Sequence, residues 1–195
     1  MIKPNIEKIL QAYKRLGYTT LSKPYQTNIG GVRSNSNSSN SFDDIVFLFY
    51  SDLKEIHFFA YQATTDPGSY YRLNPINPNG TAILVPKQHI GAYKVGLHKG
   101  YTAMEQIKPM EYYRDNNKDN VLDMNVKTYT EIGKTNIHHA SPTGKSELVN
   151  NWSAGCQVIA DIKDFDEFMK TVITNSKISH QDRFDYTLFK ESEIL

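Results

Sequence analysis

The chain has 195 residues, with 22 Lys and Arg against 21 Asp and Glu, a formal net charge of +1 and 39% hydrophobic residues. That composition is ordinary for a globular protein and excludes a disordered chain or a long coiled coil, and the near-neutral balance lacks the basic face of a general nucleic-acid or anionic-membrane binder. No apolar run approaches the roughly 20 residues needed to span a bilayer. Met1 to Glu7 lacks the continuous apolar stretch of a secretory signal, so cytoplasmic synthesis is the expectation.

In chain order, residues 4–16 are expected to form an amphipathic helix, with Ile6, Ile9, Leu10, Tyr13 and Leu16 at helical spacing and Gly17 as the stop. The run Ser34 to Ser41 is low in complexity and reads as a surface loop. It sets the expected division into an N-terminal helix and Ser/Asn-rich loop, 1–41, and a main domain, 42–195. Short segments rich in Val, Ile, Tyr and Phe predict strands at 44–50, 56–63, 82–86, 92–98, 110–114, 126–132, 135–138 and 156–160. A second helix is predicted from Phe165, Phe168, Met169, Val172 and Ile173, capped by Asp164 with Glu167 three residues on. Many short strands with no helices between them predict a mainly β (α+β) fold, a largely antiparallel sandwich or barrel with a helix near each end.

The chemistry is concentrated in Gly133 to His139 and Trp152 to Val158. Cys156 is the sole cysteine, so neither an intramolecular disulfide nor a multi-Cys zinc site is available. Read singly, a free Cys is a small buried hydrophobe and a His a satisfied core residue. Read together, a strand ending at His138 and another beginning at Cys156 can lie side by side, so that the imidazole takes the thiol proton. Gly155 permits a tight turn, and backbone N–H groups there can meet an oxyanion.

This arrangement resembles the L,D-transpeptidase catalytic domain (the YkuD family), whose motif is a His, a spacer, and Ser/Thr-His-Gly-Cys. His138 and Cys156 are 18 positions apart, and Ser153, Gly155 and Cys156 match three of the four terminal positions. The resemblance covers roughly residues 45–175, with motif identity confined to 136–158. Ala154 stands where the family has His, and Gln157-Val158 replaces a small apolar residue and Arg/Asn.

What the resemblance implies is an antiparallel β-sandwich that carries cysteine-nucleophile acyl transfer or hydrolysis on peptidoglycan stem peptides. Cys156 would be nucleophile and His138 the base. Gly155, Ser153, His139 and Ala154 would support the oxyanion, and His98, Trp152, Gln157 and Tyr93 are candidates for the substrate cleft. The implied partner is a peptidoglycan peptide, met by a monomer in the cell wall or periplasm, with no cofactor, metal or nucleic acid. The alternative, which Ala154 and Gln157 favour, is a catalytically silent cell-wall peptide-binding module of the same fold.

Other signals carry less. Adjacent histidines on a strand face opposite sides, so His138 and His139 cannot share one metal ion, with or without His98 and His89. Asp115 to Asp123 spaces oxygen donors as in a calcium loop, but Val126 stands where the bidentate carboxylate belongs, and an Asx-rich hairpin is expected. Gly30-Gly31 and Gly91 form no phosphate loop, and Tyr70-Tyr71 and Tyr112-Tyr113 read as cross-strand packing.

Overall fold

The computed structural model describes residues 4–36 and 40–194. Strand outweighs helix, 38% to 19%, so the mainly β expectation holds. Eight strands close into a barrel: β1 (Asn28–Arg33), β11 (Phe184–Lys190), β5 (Gln88–His98), β6 (Tyr101–Gln106), β9 (Ile137–His139), β10 (Gln157–Ile159), β3 (Ile56–Thr64) and β2 (Asp44–Ser51), in that order around it. A three-stranded sheet, β4 (Thr81–Leu84), β7 (Met110–Asp115) and β8 (Thr128–Glu131), stands beside the barrel. Thus the strands form a closed barrel with a small sheet at its flank, not two open sheets face to face. Neighbouring strands run antiparallel except β1 with β11 and β9 with β10.

Both faces of β2 are buried, which is why Ile45 to Phe49 is an unbroken apolar run. Val46 and Leu48 join the main core with Phe165, Phe168, Met169 and Val172 of α3 (Ile162–Ser179). Ile45, Phe47 and Phe49 face the other way, toward Ile9, Ala12 and Tyr13 of α1 (Ile6–Arg15). Asn5 caps α1 by accepting from the Lys8 N–H, and Gly17 ends it at φ +69°. Asp161, not Asp164, caps α3 by accepting from the Lys163 N–H, so that helix begins before the predicted cap and runs six residues beyond Ile173.

Three strands lie outside the predicted set. β1 contains Gly30-Gly31, which reads as a breaker in sequence. A Cβ on Gly30 would sit 2.4 Å from the Phe47 ring and 2.5 Å from the Thr187 carbonyl, so glycine is what lets β1 lie between β2 and β11. β6 is the return limb of a hairpin with β5, and β11 follows α3 and closes the barrel against β1. With β1 a barrel strand and α1 packed on β2, the expected division at 41/42 falls between two neighbouring strands of one barrel. Within the Ser/Asn-rich loop, residues 37–39 lie outside the described residues. Tyr70-Tyr71 sits on a short helix, α2 (Ser69–Leu73), while Tyr112 and Tyr113 do pair across strands, with Tyr129 and Thr128.

Gly30→Ala is expected to destabilise the fold by about 1–3 kcal/mol through overpacking between β1, Phe47 and β11. Urea denaturation reads this as a lower midpoint at unchanged slope.

Candidate functional site

β9 and β10 run parallel, pairing Gln157 with Ile137, Val158 with His138 and Ile159 with His139. Parallel neighbours cannot be joined by a tight turn and need a crossover of a dozen or more residues. Residues 140–156 supply it, and this return gives the 18-position spacing of His138 and Cys156 its structural meaning.

The end of the crossover is a clamped turn. Ser153 Oγ accepts from the Gly155 N–H at 3.1 Å and donates to the Cys156 carbonyl at 2.9 Å, while the Ser153 carbonyl accepts from the Gly68 N–H. Gly155 has φ +121°, and a Cβ there would lie 2.7 Å from the Ala82 carbonyl oxygen of β4. Ser153 and Gly155 therefore fix the backbone around the thiol, and the Gly155 N–H is already taken by the Ser153 hydroxyl. Gln157 is fully buried: its Nε2 donates to the Gly155 carbonyl at 3.3 Å and its Oε1 accepts from Tyr186 Oη at 3.0 Å. Tyr93 is buried as well, donating from Oη to the Thr135 carbonyl at 2.8 Å. Both were expected in the substrate cleft; both instead brace the strands from within the core.

The approach to β9 is held as firmly. Tyr112 Oη meets Thr135 Oγ1 at 2.5 Å, and Gln106 Oε1 accepts from the Thr135 N–H at 2.9 Å. Asn136, which motif reasoning passed over, ties three strands together. Its backbone carbonyl accepts from the Gln157 N–H (3.0 Å), its Oδ1 from the Gln106 N–H (3.0 Å), and its Nδ2 donates to His98 Nδ1 (3.1 Å). The signal available in sequence was only a buried amide beside the candidate base.

Cys156 stands level with Asn136 at the mouth of β10, half-buried, and packs with Trp152 against Phe42, Ala140, Val149, Val158 and Ala160. Its Sγ donates to the Lys134 carbonyl at 3.8 Å, so the thiol's bond runs to the residues before β9 and not to His138. Burial pushes the thiol up to about 11, with the Asn136 N–H and Lys99 pulling the other way.

His138 is buried on the opposite side of β9 from His139, as strand alternation requires. Its Nδ1 lies 2.7 Å from the His139 carbonyl, which only accepts, so the proton of the neutral ring sits on Nδ1 and Nε2 carries the lone pair. Its ring stacks on His98 with centroids 4.0 Å apart and planes 9° apart. Burial, then the adjacent His98, pushes His138 down to about 3; burial, Lys99 and His139 push His98 down to about 4. His139 instead stacks on Tyr101 at 4.3 Å and meets Phe165 of α3 edge-on.

Two cavities flank this arrangement. One, of about 320 Å³, is lined by His98, Lys99, Tyr101, His138, His139, Ala140, Pro142 and Trp152. The other, of about 220 Å³, is lined by Ala154, Lys134, Gly133, Ile132, Glu131, Arg114 and residues of α2 and β4. There Arg114 is committed to Glu131 and the Gly80 carbonyl, and Ala154 contributes only a methyl group to the wall. The structure thus brings His98, His138, His139 and Trp152 to one cavity and Ala154 to the other. A further cavity, of about 550 Å³, lies against β5 and the end of α3 and holds none of these residues.

Among the described residues no three His, Cys, Asp or Glu side chains are grouped to hold a metal. The calcium-like loop has a cation of its own: the buried Arg72 guanidinium pairs with Asp115 at 2.8 Å and reaches Asp119 at 3.5 Å. No described helix is long and apolar enough to cross a membrane.

His89 is also held down to about 4 by burial, so three histidines stay neutral in the fold where the unfolded chain would protonate them near 6.5. The unfolded state binds more protons below that value, so stability is present above about pH 6.5 and lost as pH falls toward 4. His89→Phe and His98→Phe are each expected to flatten that acid loss, read as melting temperature against pH.

No known family matches the chain, and neither a curated protein nor a solved structure matches it.

Proposed function

We propose that this chain is a cysteine-dependent acyl transferase or peptidase of the L,D-transpeptidase type, acting on peptidoglycan stem peptides in the cell wall. The observation that carries the reading is the in-register parallel pairing of β9 and β10, which brings Cys156, the residue before β10, level with Asn136, while His138 lines one cavity and Ala154 the other. Two residues separate Asn136 from His138, about 7 Å along the strand, with about 4.8 Å between strands, a span that a cysteine and an imidazole can bridge. The substrate class, a peptide bearing meso-diaminopimelate or a similar diamino acid, comes from the motif resemblance alone.

In this reading the Cys156 thiol proton passes to His138 Nε2 as Sγ attacks the scissile carbonyl carbon. The tetrahedral intermediate collapses with cleavage of the C–N bond, and His138 returns the proton to the leaving amine. An acceptor amine or water then attacks the thioester, its proton moves through His138, and the C–S bond breaks to restore the thiol. The Gly155 N–H is held by Ser153, so an oxyanion near Cys156 would have to meet other donors.

A second reading, a catalytically silent peptide-binding module, is favoured by the resting state of the pair. Cys156 is bonded to Lys134 and held as a thiol, and His138 is held as a neutral imidazole bonded to His139.

The test is incubation with murein tetrapeptides, with mass spectrometry of products and of Cys156. The parent should form a covalent adduct on Cys156, and Cys156→Ala should abolish it while costing about 1 kcal/mol of stability. His138→Ala should lose about 10²- to 10⁴-fold in rate. His139→Phe, which keeps the stacked face against Tyr101, should lose far less. Full turnover by Cys156→Ala sinks the enzyme reading; peptide binding with no adduct in the parent selects the silent module.

A further inference from the structure

The base in this proposal has a neighbour that the motif does not contain. His98 comes from the end of β5, 40 residues before His138, yet its ring lies face to face with His138 at 4.0 Å. Asn136 holds the far ring in place: the Gln106 N–H occupies its Oδ1, which leaves Nδ2 to donate to His98 Nδ1. The neutral His98 therefore carries its proton on Nε2, while His138 carries its own on Nδ1. One ring is fixed by an amide and the other by a carbonyl, and each is pressed on the other.

We propose that His98, oriented by Asn136, is a positioning residue for His138, holding the imidazole in its Nδ1–H tautomer so that Nε2 is left to accept a proton, in the wall of the cavity it shares with Trp152. The stack leaves the ring little freedom to rotate about its side-chain bonds, and rotation is what would break the Nδ1 bond to the His139 carbonyl. Loss of that bond frees the other tautomer, in which Nε2 is protonated and cannot accept from a thiol. The titratable groups around the pair are Lys99 in the β5–β6 turn, Tyr101 on β6 and His139 on β9. None donates to His138 Nε2. The flat faces, not charge, are what the proposal requires of His98, and that separates it from a proton relay.

This inference rests on the reading of His138 as base, and the experiment reads the two apart. Full-length protein labelled with ¹⁵N at histidine is compared with His98→Phe, His98→Ala and Asn136→Ala. Ring-nitrogen spectra at neutral pH report the His138 tautomer, melting temperature reports the fold, and mass spectrometry reports the rate of Cys156 adduct formation from a murein tetrapeptide. The parent should show a single Nδ1–H tautomer at His138. His98→Phe, which keeps the face, should preserve that tautomer and stay within about threefold in rate. His98→Ala should average the two tautomers and lose about tenfold or more in rate, as a small misplacement of a reacting group does. Asn136→Ala should fall between them.

An unchanged His138 tautomer in His98→Ala overturns the inference, and so does a His98→Phe variant as damaged as His98→Ala. If the parent forms no adduct but its tautomers respond as described, acyl transfer fails while the positioning role stands. If adduct forms and the tautomers do not respond, the reverse holds.

Discussion

The parallel neighbourhood of β9 and β10 is the constraint on which the candidate site depends. An antiparallel hairpin would have joined them through two to five residues and left no room for a turn before the cysteine. Because they run the same way, the chain must travel back along the barrel, and that return carries Trp152, Ser153, Ala154 and Gly155 to the mouth of β10. Val149 and Trp152 cover Val158 and Cys156 on the outer face, while Ile137 and Ile159 face the main core with Met104 and Tyr93. Short strands of three residues each are held in place by what lies around them. Tyr93, Tyr112, Gln106 and Asn136 close the polar groups of the approach to β9, and Gln157 and Tyr186 do the same behind β10.

The barrel and the site draw on different kinds of residue. β2, β3 and β7 were legible because aromatic and β-branched side chains dominate them and turn residues bound them. β1 was not, because Gly30-Gly31 has the local signature of a break; the reason for those glycines is the approach of Phe47, Tyr186 and the Thr187 carbonyl, all distant in sequence. β11 was hidden for a related reason. Its partner in the barrel is the parallel β1, some 150 residues earlier, so no hairpin signal announces it. Helices were read well on their apolar faces and less well at their ends, since Asp161 and Asp164 are both acceptable caps by type and only the backbone tells them apart.

Within the site, the cysteine, the histidine and the glycine turn could be read from residue types and spacing. Gln157 and Tyr93 could not be placed that way, since a buried amide bonded at both ends looks in sequence like a polar residue awaiting a ligand. Asn136 was passed over for the opposite reason: nothing in its local sequence separates an amide that ties three strands from one in a turn. In sequence His98 reads only as a cleft residue. Its contact with His138 is set by the β5–β6–β9 order of strands, which is a property of the closed barrel and of no short segment.

The resting protonation of the pair bears on how any reaction here must run. Burial pushes the Cys156 thiol up and the His138 imidazole down, and both shifts oppose moving the proton before attack. The resting pair is neutral, each member bonded to a backbone carbonyl, in contrast to cysteine sites where a nearby cation lowers the thiol. On the proposed reading, proton transfer has to accompany formation of the C–S bond, so that the negative charge passes directly to the carbonyl oxygen and never rests on the half-buried sulfur. That places the demand on alignment. The thiol must turn from the Lys134 carbonyl toward His138, while His138 must keep Nε2 unprotonated until it accepts the thiol proton. The His98 stack and the His139 carbonyl are the features of this fold that meet the second requirement, and a peptide entering beside Ala154, displacing the thiol from Lys134, is how the first would be met.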